Sequence, residues 1–472
     1  MRTQLLSTLA LGAVAALAAC GGKATPPTML PTTGDTGGAL APPPDVKTTP
    51  APTDPAPKTE GAITEAWAHG VHILVKRIPG AETTATSLYI RGGVRNWTAA
   101  DAGIEQLALA TSVDGGTDNL AKDAFTQRLS ELGSTLGARS SEDYAALDAW
   151  SLTPTWDDTF KLLAAAFLHP ALPATQIEVE RQLQLAALNQ EQDDPDAKLS
   201  RAMYDTVYRG HPYGNRARGT LASVKALTAA QLRAHLDQLR ESSRMLLVVV
   251  GDIDAQHVIA ATTAAFGELP RGAYSDPPLP PWAPDKGAVT TIEQKLPTNY
   301  VMAVAPGPRW GDPDFYAMWI GMSALHAREF AEVRTKRNLS YAPSAYMRIN
   351  TSIPMVGLYV TAVDPVTTLG VMLGEAKRLR DEPIPAGELA AAKAKFLTST
   401  MMAAEDASGQ AANLAIAQIV GGDWHRLQDL PTQVHAVTAA QIQGWAGKHL
   451  THLQTIVLGD PTKLDRKALE SF

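Results

Sequence analysis

Leu227-Thr228-Ala229-Ala230-Gln231-Leu232 and Val437-Thr438-Ala439-Ala440-Gln441-Ile442 are one phrase written twice. The first leads to Leu246-Leu247-Val248-Val249-Val250-Gly251-Asp252, the second to Thr455-Ile456-Val457-Leu458-Gly459-Asp460. The offset is 210 residues at the threonine and 208 at the Gly-Asp. In each copy a threonine can cap a helix, and an apolar run of β-formers then ends at a turn. Two ordered matches at nearly one offset predict an internal duplication. A proline-rich stretch, Ser275–Pro284, falls between the copies and separates halves of about 205 and 185 residues. The expected division is a first domain over 63–270, a linker over 271–288 and a second domain over 289–472.

Within the first half, 71–76, 84–90, 144–152 and 245–250 read as strands. Helices are predicted over 102–113, 122–132, 156–167, 176–192 and 227–239, from apolar spacing and helix-favouring residues. Hairpins mixed with helices give an α+β class, with helices packed on one face of each sheet.

The opening MRTQLLSTLALGAVAALAAC has a positive start, an apolar stretch and small residues before Cys20. That is a secretory signal layout over 1–20. Leu17-Ala18-Ala19-Cys20 resembles the bacterial lipobox, which makes Cys20 the lipidation site. With no acidic residue directly after it, the expectation is a lipid anchor in the outer membrane, facing the periplasm. Residues 23–60 hold ten prolines, nine threonines and only four large apolar residues. Such a stretch cannot bury enough surface to order itself, so 21–62 reads as a tether. Cys20 is the only cysteine of 472 residues, which excludes an internal disulfide and a Cys-based zinc cluster. The net charge of −7, with no basic run, excludes a nucleic-acid footprint.

Several segments are similar to one known family. His69-Gly70-Val71 resembles its opening "NGL" segment, and Arg91-Gly92-Gly93-Val94-Arg95 its "GGSR-like" turn. His211-Pro212-Tyr213-Gly214 with Gly219-Thr220 resembles "HPYG…G(T)", and Leu247–Asp252 the strand "LVVVGD". Glu332–Tyr341, EVRTKRNLSY, resembles "EIREKRGLAY". These are motifs of the M16 (insulinase/pitrilysin) zinc metallopeptidases. The resemblance implies two similar M16-type (LuxS/MPP-like) domains, each a mostly antiparallel sheet with helices on one face, together forming half of a clam-shell.

Catalysis in that family rests on His-x-x-Glu-His in a helix, with a distant glutamate as third zinc ligand. The resemblance places the two histidines on Gln106 and Ala110, the general-base glutamate on Leu109, and the third ligand on Ala186 or Ala187. Alanine and leucine offer a metal no lone pair. Other histidines are weak replacements. His69/His72 and His449/His452 are each three apart, without a nearby third acid, and read as surface or packing residues. His211 is expected to orient its own loop. Glu105 is out of phase with the family glutamate and reads as a solvated helix charge. Asp193-Asp194-Pro195-Asp196 reads as a solvated turn.

What the resemblance retains is Arg334 and Tyr341. In the family this pair reaches a zinc site carried by the opposing domain: the tyrosine donates to the developing oxyanion and the arginine positions the substrate backbone. The bland alternative is a helix arginine paired with Glu332 or Glu329 and a tyrosine that starts a strand. Asn338 stands where the family has glycine, and asparagine tolerates the left-handed conformation.

The function implied is a non-catalytic, peptide-binding subunit of a two-chain zinc peptidase. It binds no cofactor itself, and a homologous subunit carries His-x-x-Glu-His and the zinc. The alternatives are an inert M16-fold scaffold lipoprotein and a stand-alone peptidase with an unrecognised site.

Overall fold

The computed structural model describes residues 53–472. The signal segment, Cys20 and most of the predicted tether lie outside them. The strands are β1 (Lys58–Glu60), β2 (Ile63–Ala68), β3 (Val71–Arg77), β4 (Thr83–Arg91), a short hairpin β5 (Gly116–Thr117) and β6 (Leu120–Ala121), β7 (Thr135–Ser140), β8 (Tyr144–Leu152) and β9 (Met245–Gly251). The second half adds β10 (Ala288–Glu293), β11 (Asn299–Pro306), β12 (Ser344–Arg348), β13 (Met355–Ala362) and β14 (Gln454–Gly459). The first-half helices are α1 (Ile104–Asp114), α2 (Lys122–Glu131), α3 (Trp156–Leu168), α4 (Ala174–Asp193), α5 (Pro195–Val207), α6 (Leu221–Ala226), α7 (Ala229–Leu239) and α8 (Ala255–Phe266). Those of the second half are α9 (Phe315–Glu329), α10 (Pro365–Asp381), α11 (Ala386–Ala403), α12 (Ala407–Ile419), α13 (Arg426–Ala436), α14 (Ala439–His449) and α15 (Arg466–Glu470).

The duplication is present in the topology. The first sheet runs β1-β2-β3-β9-β4-β8-β7 and the second β10-β14-β11-β13-β12. From β3 onward the two orders are identical when strands are ranked along the chain. Each sheet has one parallel pair, β3 with β9 and β10 with β14, and the remaining pairs are antiparallel. The repeated phrase forms reciprocal capping boxes, Thr228 with Gln231 on α7 and Thr438 with Gln441 on α14.

Each domain packs its own helices on one face of its sheet, as predicted, and the opposite face is covered by a helix from the other half. β9 is buried along its whole length, as a continuous apolar run requires. On one face Leu247 and Val249 pack with Leu107 of α1, Phe160 of α3 and Leu236 of α7. On the other, Leu246, Val248 and Val250 meet Ala411, Leu414 and Ala415 of α12, with Trp424 beyond it. Reciprocally, Leu199, Met203 and Val207 of α5 share a core with Met302, Val304, Ile456 and Leu458 of the second sheet. The two halves therefore exchange a helix: α5 covers sheet two and α12 covers sheet one.

Contacts of the first domain extend to residues before 63: β1 pairs with β2, and Asp54 accepts from Gly70 N–H (3.1 Å) and the Arg271 guanidinium (2.8 Å). The proline-rich linker has no regular structure, yet it is strapped to the first domain. Asp276 pairs with Arg91, Pro280 O accepts from His211, and Trp282 packs on Tyr208.

Candidate functional site

α1 is the helix on which a zinc site of the implied kind would stand. It starts after Gly103, which takes φ 90°. A Cβ there would lie 2.8 Å from Arg218 O, so the close approach requires glycine. Leu107, Ala108 and Leu109 are fully buried. Gln106, one turn from Ala110, accepts a hydrogen bond from Ser140 N–H at 3.2 Å. Its carbonyl oxygen thus latches α1 to the end of β7. Ala187 on α4 is half-buried and Ala186 exposed. α1 packs against α4, but one amide already engaged and three aliphatic side chains do not fit a metal. Among the described residues no three His, Cys, Asp or Glu side chains are grouped to hold one.

Glu105 corrects the sequence reading. It is 1% exposed, accepts from Ser140 Oγ at 2.7 Å and lies 3.2 Å from His235 Nε2 of α7. α1 is enclosed by α7 and β7, so the charge faces partners and not water. The acidic turn is also only partly solvated. Asp194 caps α5, and Asp196 accepts from the Tyr359 hydroxyl of the second sheet.

The histidines singled out in the sequence lie beside carbonyl or carboxylate neighbours. His69 Nε2 lies 2.8 Å from Leu269 O. His72 stacks on Trp67 and meets Glu65 at 2.8 Å; its burial lowers its pKa. His449 is 3.5 Å from Asp314, and His452 is 3.2 Å from Pro284 O. His211 orients its loop: Nδ1 accepts from Tyr213 N–H at 3.0 Å, which leaves Nε2 to donate to Pro280 O.

What that loop supports has no signal in the local sequence. The Tyr213 hydroxyl donates to buried Asp143 (2.6 Å), which also pairs with Arg95 and accepts from Ser352 N–H (2.8 Å). Ser352 belongs to the second half, so the motif is a strut between domains. The Gly92-Gly93 turn serves the same strut. Gly93 has φ 56°, and a Cβ there would sit 2.4 Å from Ser141 O, next to Asp143.

Arg334 lies in a π-helical turn, Phe330–Lys336, that continues α9. Such turns are uncommon and frequent at functional sites. Asn338 closes it at φ 51°, as expected of asparagine in that place. The local acids are not the partners of Arg334. Glu332 pairs with Lys336 and Arg337, and Glu329 is fully buried. The guanidinium sits instead 3.9 Å from the centre of the Tyr341 ring and 4.8 Å from that of Phe330. This cation–π stack joins the two residues, and Tyr341 is 78% exposed.

Two family models match, "Insulinase (Peptidase family M16)" over residues 72–221 and "Peptidase M16 inactive domain" over 226–396. The chain belongs to peptidase family M16. An uncharacterized zinc protease of Mycobacterium leprae is 22% identical over 409 residues, covering 83% of this chain and 90% of its own. The β subunit of the mitochondrial-processing peptidase of Saccharomyces cerevisiae is 21% identical over 431 residues, covering 85% and 91%. Among solved structures, a peptidase M16 inactive domain from Pseudomonas fluorescens superposes with a TM-score of 0.75 at 20% identity, covering 84% of this chain and 97% of its own. These likenesses agree with the M16 fold of two α+β domains.

Proposed function

We propose that this M16 chain is the non-catalytic, substrate-binding subunit of a heteromeric zinc peptidase acting on peptides at the bacterial cell envelope. The observation that carries the reading is an asymmetry. The zinc positions hold Gln106, Leu109, Ala110 and Ala186/Ala187, whereas Arg334 and Tyr341 form a stacked pair with the tyrosine exposed. The partner is a homologous subunit with His-x-x-Glu-His, which supplies the zinc and closes the other half of the chamber. Arg334 fixes the ring, so the phenol is preorganised to donate where negative charge develops on the scissile carbonyl oxygen. That one relative is named as a subunit of a processing peptidase supports a paired assembly. Lipidated Cys20 would hold the complex at the outer membrane.

The test is co-purification followed by mass spectrometry, then cleavage of a quenched fluorescent peptide by the reconstituted pair. Tyr341→Phe should lower kcat by about 10²–10³ and leave KM nearly unchanged, since the donor acts in the transition state. Arg334→Ala should impair both. Unchanged turnover in Tyr341→Phe would move the reading to an inert scaffold.

A further inference from the structure

His425 stands where the chain turns from α12 into α13, at the position that caps α13. Its two ring nitrogens face two different carboxylates. Nδ1 lies 2.6 Å from Asp423 of the same turn, and Nε2 lies 3.3 Å from Glu60 of β1, in the first half. An ionised carboxylate only accepts, and a neutral imidazole carries a single N–H. Both contacts are therefore favourable only for the doubly protonated ring; a neutral ring turns a bare lone pair toward one of the two acids. The face of the ring adds to this preference. It stacks on Trp424 at 3.9 Å, and an indole face attracts a cation. Trp424 is itself 1% exposed and packs with α12 against sheet one, so the ring rests on a fixed platform.

The surrounding elements bring few other charges. Arg426 follows directly and helps to keep Asp423 ionised. Lys58 lies two residues before Glu60, on the same side of β1. α12 has no charged residue, and Glu65 of β2 is engaged with His72. Burial pulls the pKa of the ring down, but Asp423 and Glu60 outweigh it and hold the pKa above the ordinary 6.5. We propose that His425 is a pH-operated clamp between the halves: charged, it ties β1 to the α12–α13 turn, and on losing its proton it keeps Asp423 and releases Glu60. The stabilisation is complete below pH 6.5, the value of an unfolded chain, and fades as pH rises through the higher folded value. The three side chains are about a third to a half exposed, so the clamp is weak and screened by salt. It acts on β1, at the edge of sheet one, while the exchanged helices keep the halves docked. The device is independent of the peptidase reading.

The test is an NMR titration of the full chain with ring-labelled histidine, the His425 signal being the one missing from His425→Gln. Its pKa should lie above 6.5 at low salt and fall by about half a unit in Glu60→Gln. Hydrogen exchange read by mass spectrometry, corrected for the intrinsic effect of pH on amide exchange, should show β1 opening about threefold more readily at pH 8 than at pH 5.5, the factor that half a pKa unit represents. His425→Gln and Glu60→Gln should each remove that response. Glu60→Gln, on an exposed edge strand, supplies the check on its own if His425→Gln does not fold. A pKa at or below 6.5, a pKa unmoved by Glu60→Gln, or a pH response of β1 as large in either variant as in wild type overturns the clamp.

Discussion

Glu329 offers a direct measure of what the second domain gives up to hold the Arg334 turn. It is the last residue of α9, fully buried, and neither carboxyl oxygen has a hydrogen-bond partner. Burial, with Glu375 adding like charge, raises its pKa well above the ordinary 4.5. A buried polar group left without a partner costs about 1–3 kcal/mol. Glu329→Leu should therefore stabilise the protein by about 1–3 kcal/mol, with a rise in melting temperature of about 1 °C per kcal/mol because the two domains unfold as one unit.

The pH dependence is the sharper readout. Above pH 4.5 the unfolded chain releases the Glu329 proton while the folded chain retains it, so the folded state binds more protons and stability falls as pH rises. The slope is about 1.4 kcal/mol per pH unit, from about pH 4.5 up to the folded-state pKa. The assay is urea unfolding of wild type, Glu329→Gln and Glu329→Leu at half-unit steps from pH 4.5 to 8. Both variants should lose that slope, and the leucine variant should gain most at the alkaline end. Parallel curves for wild type and variants, or destabilisation by Glu329→Leu throughout, would refute the reasoning.

Other consequences can be checked separately. Leu414→Ala should cost about 2–5 kcal/mol, and calorimetry should still show one transition, because α12 is core to the first sheet; two separate transitions would deny the helix exchange. Thr228→Ala and Thr438→Ala should each cost about 1 kcal/mol and add in the double variant, read by denaturant midpoint, since each removes a reciprocal cap. The purified chain should carry less than one tenth of an equivalent of zinc by elemental analysis and cleave no peptide alone; a full equivalent, or chelator-sensitive turnover, would contradict the fit of Gln106, Leu109 and Ala110. Cys20→Ser should move the protein out of the washed membrane fraction or leave it unprocessed; a processed variant still bound to membrane would exclude the lipid anchor.

What could be read in the sequence was local chemistry. Strand β8 falls on Tyr144–Leu152, where a strand is predicted. The repeated Thr-x-x-Gln phrase marks two helix starts because a capping box needs only residues three apart. That Leu109 and Ala110 offer a metal no lone pair is legible at once, because side-chain identity alone decides it. The rest depended on partners distant in the chain. Glu105 reads as solvated until His235, 130 residues away, is folded against it. The small apolar face of α12 says that it is covered, but not that sheet one covers it. Arg201, Arg216, Arg218 and Arg348 line one cavity, with no spacing in the sequence to connect them. No local rule assigns Arg334 to a tyrosine ring when Glu332 stands two residues away; the π-helical turn does that.

The same packing explains how a peptidase fold can lose its metal and keep its shape. In α1 the residues that hold the domain together, Ile104, Leu107, Ala108 and Val113, are distinct from the positions that would hold zinc, Gln106 and Ala110. A half-buried cluster of histidines and a glutamate without metal would leave polar groups poorly paired, at about 1–3 kcal/mol each. Leucine at 109 and alanine at 110 remove that cost, and Gln106 converts the remaining polar position into a latch on β7. Loss of the zinc set is then no worse than neutral for stability. Arg334 and Tyr341 lie apart from that packing: the tyrosine is mostly exposed and its ring stacks on the guanidinium. The stability of α1 thus rests on residues other than those at its zinc positions, and the exposed phenol held by an arginine is the feature that Tyr341→Phe tests.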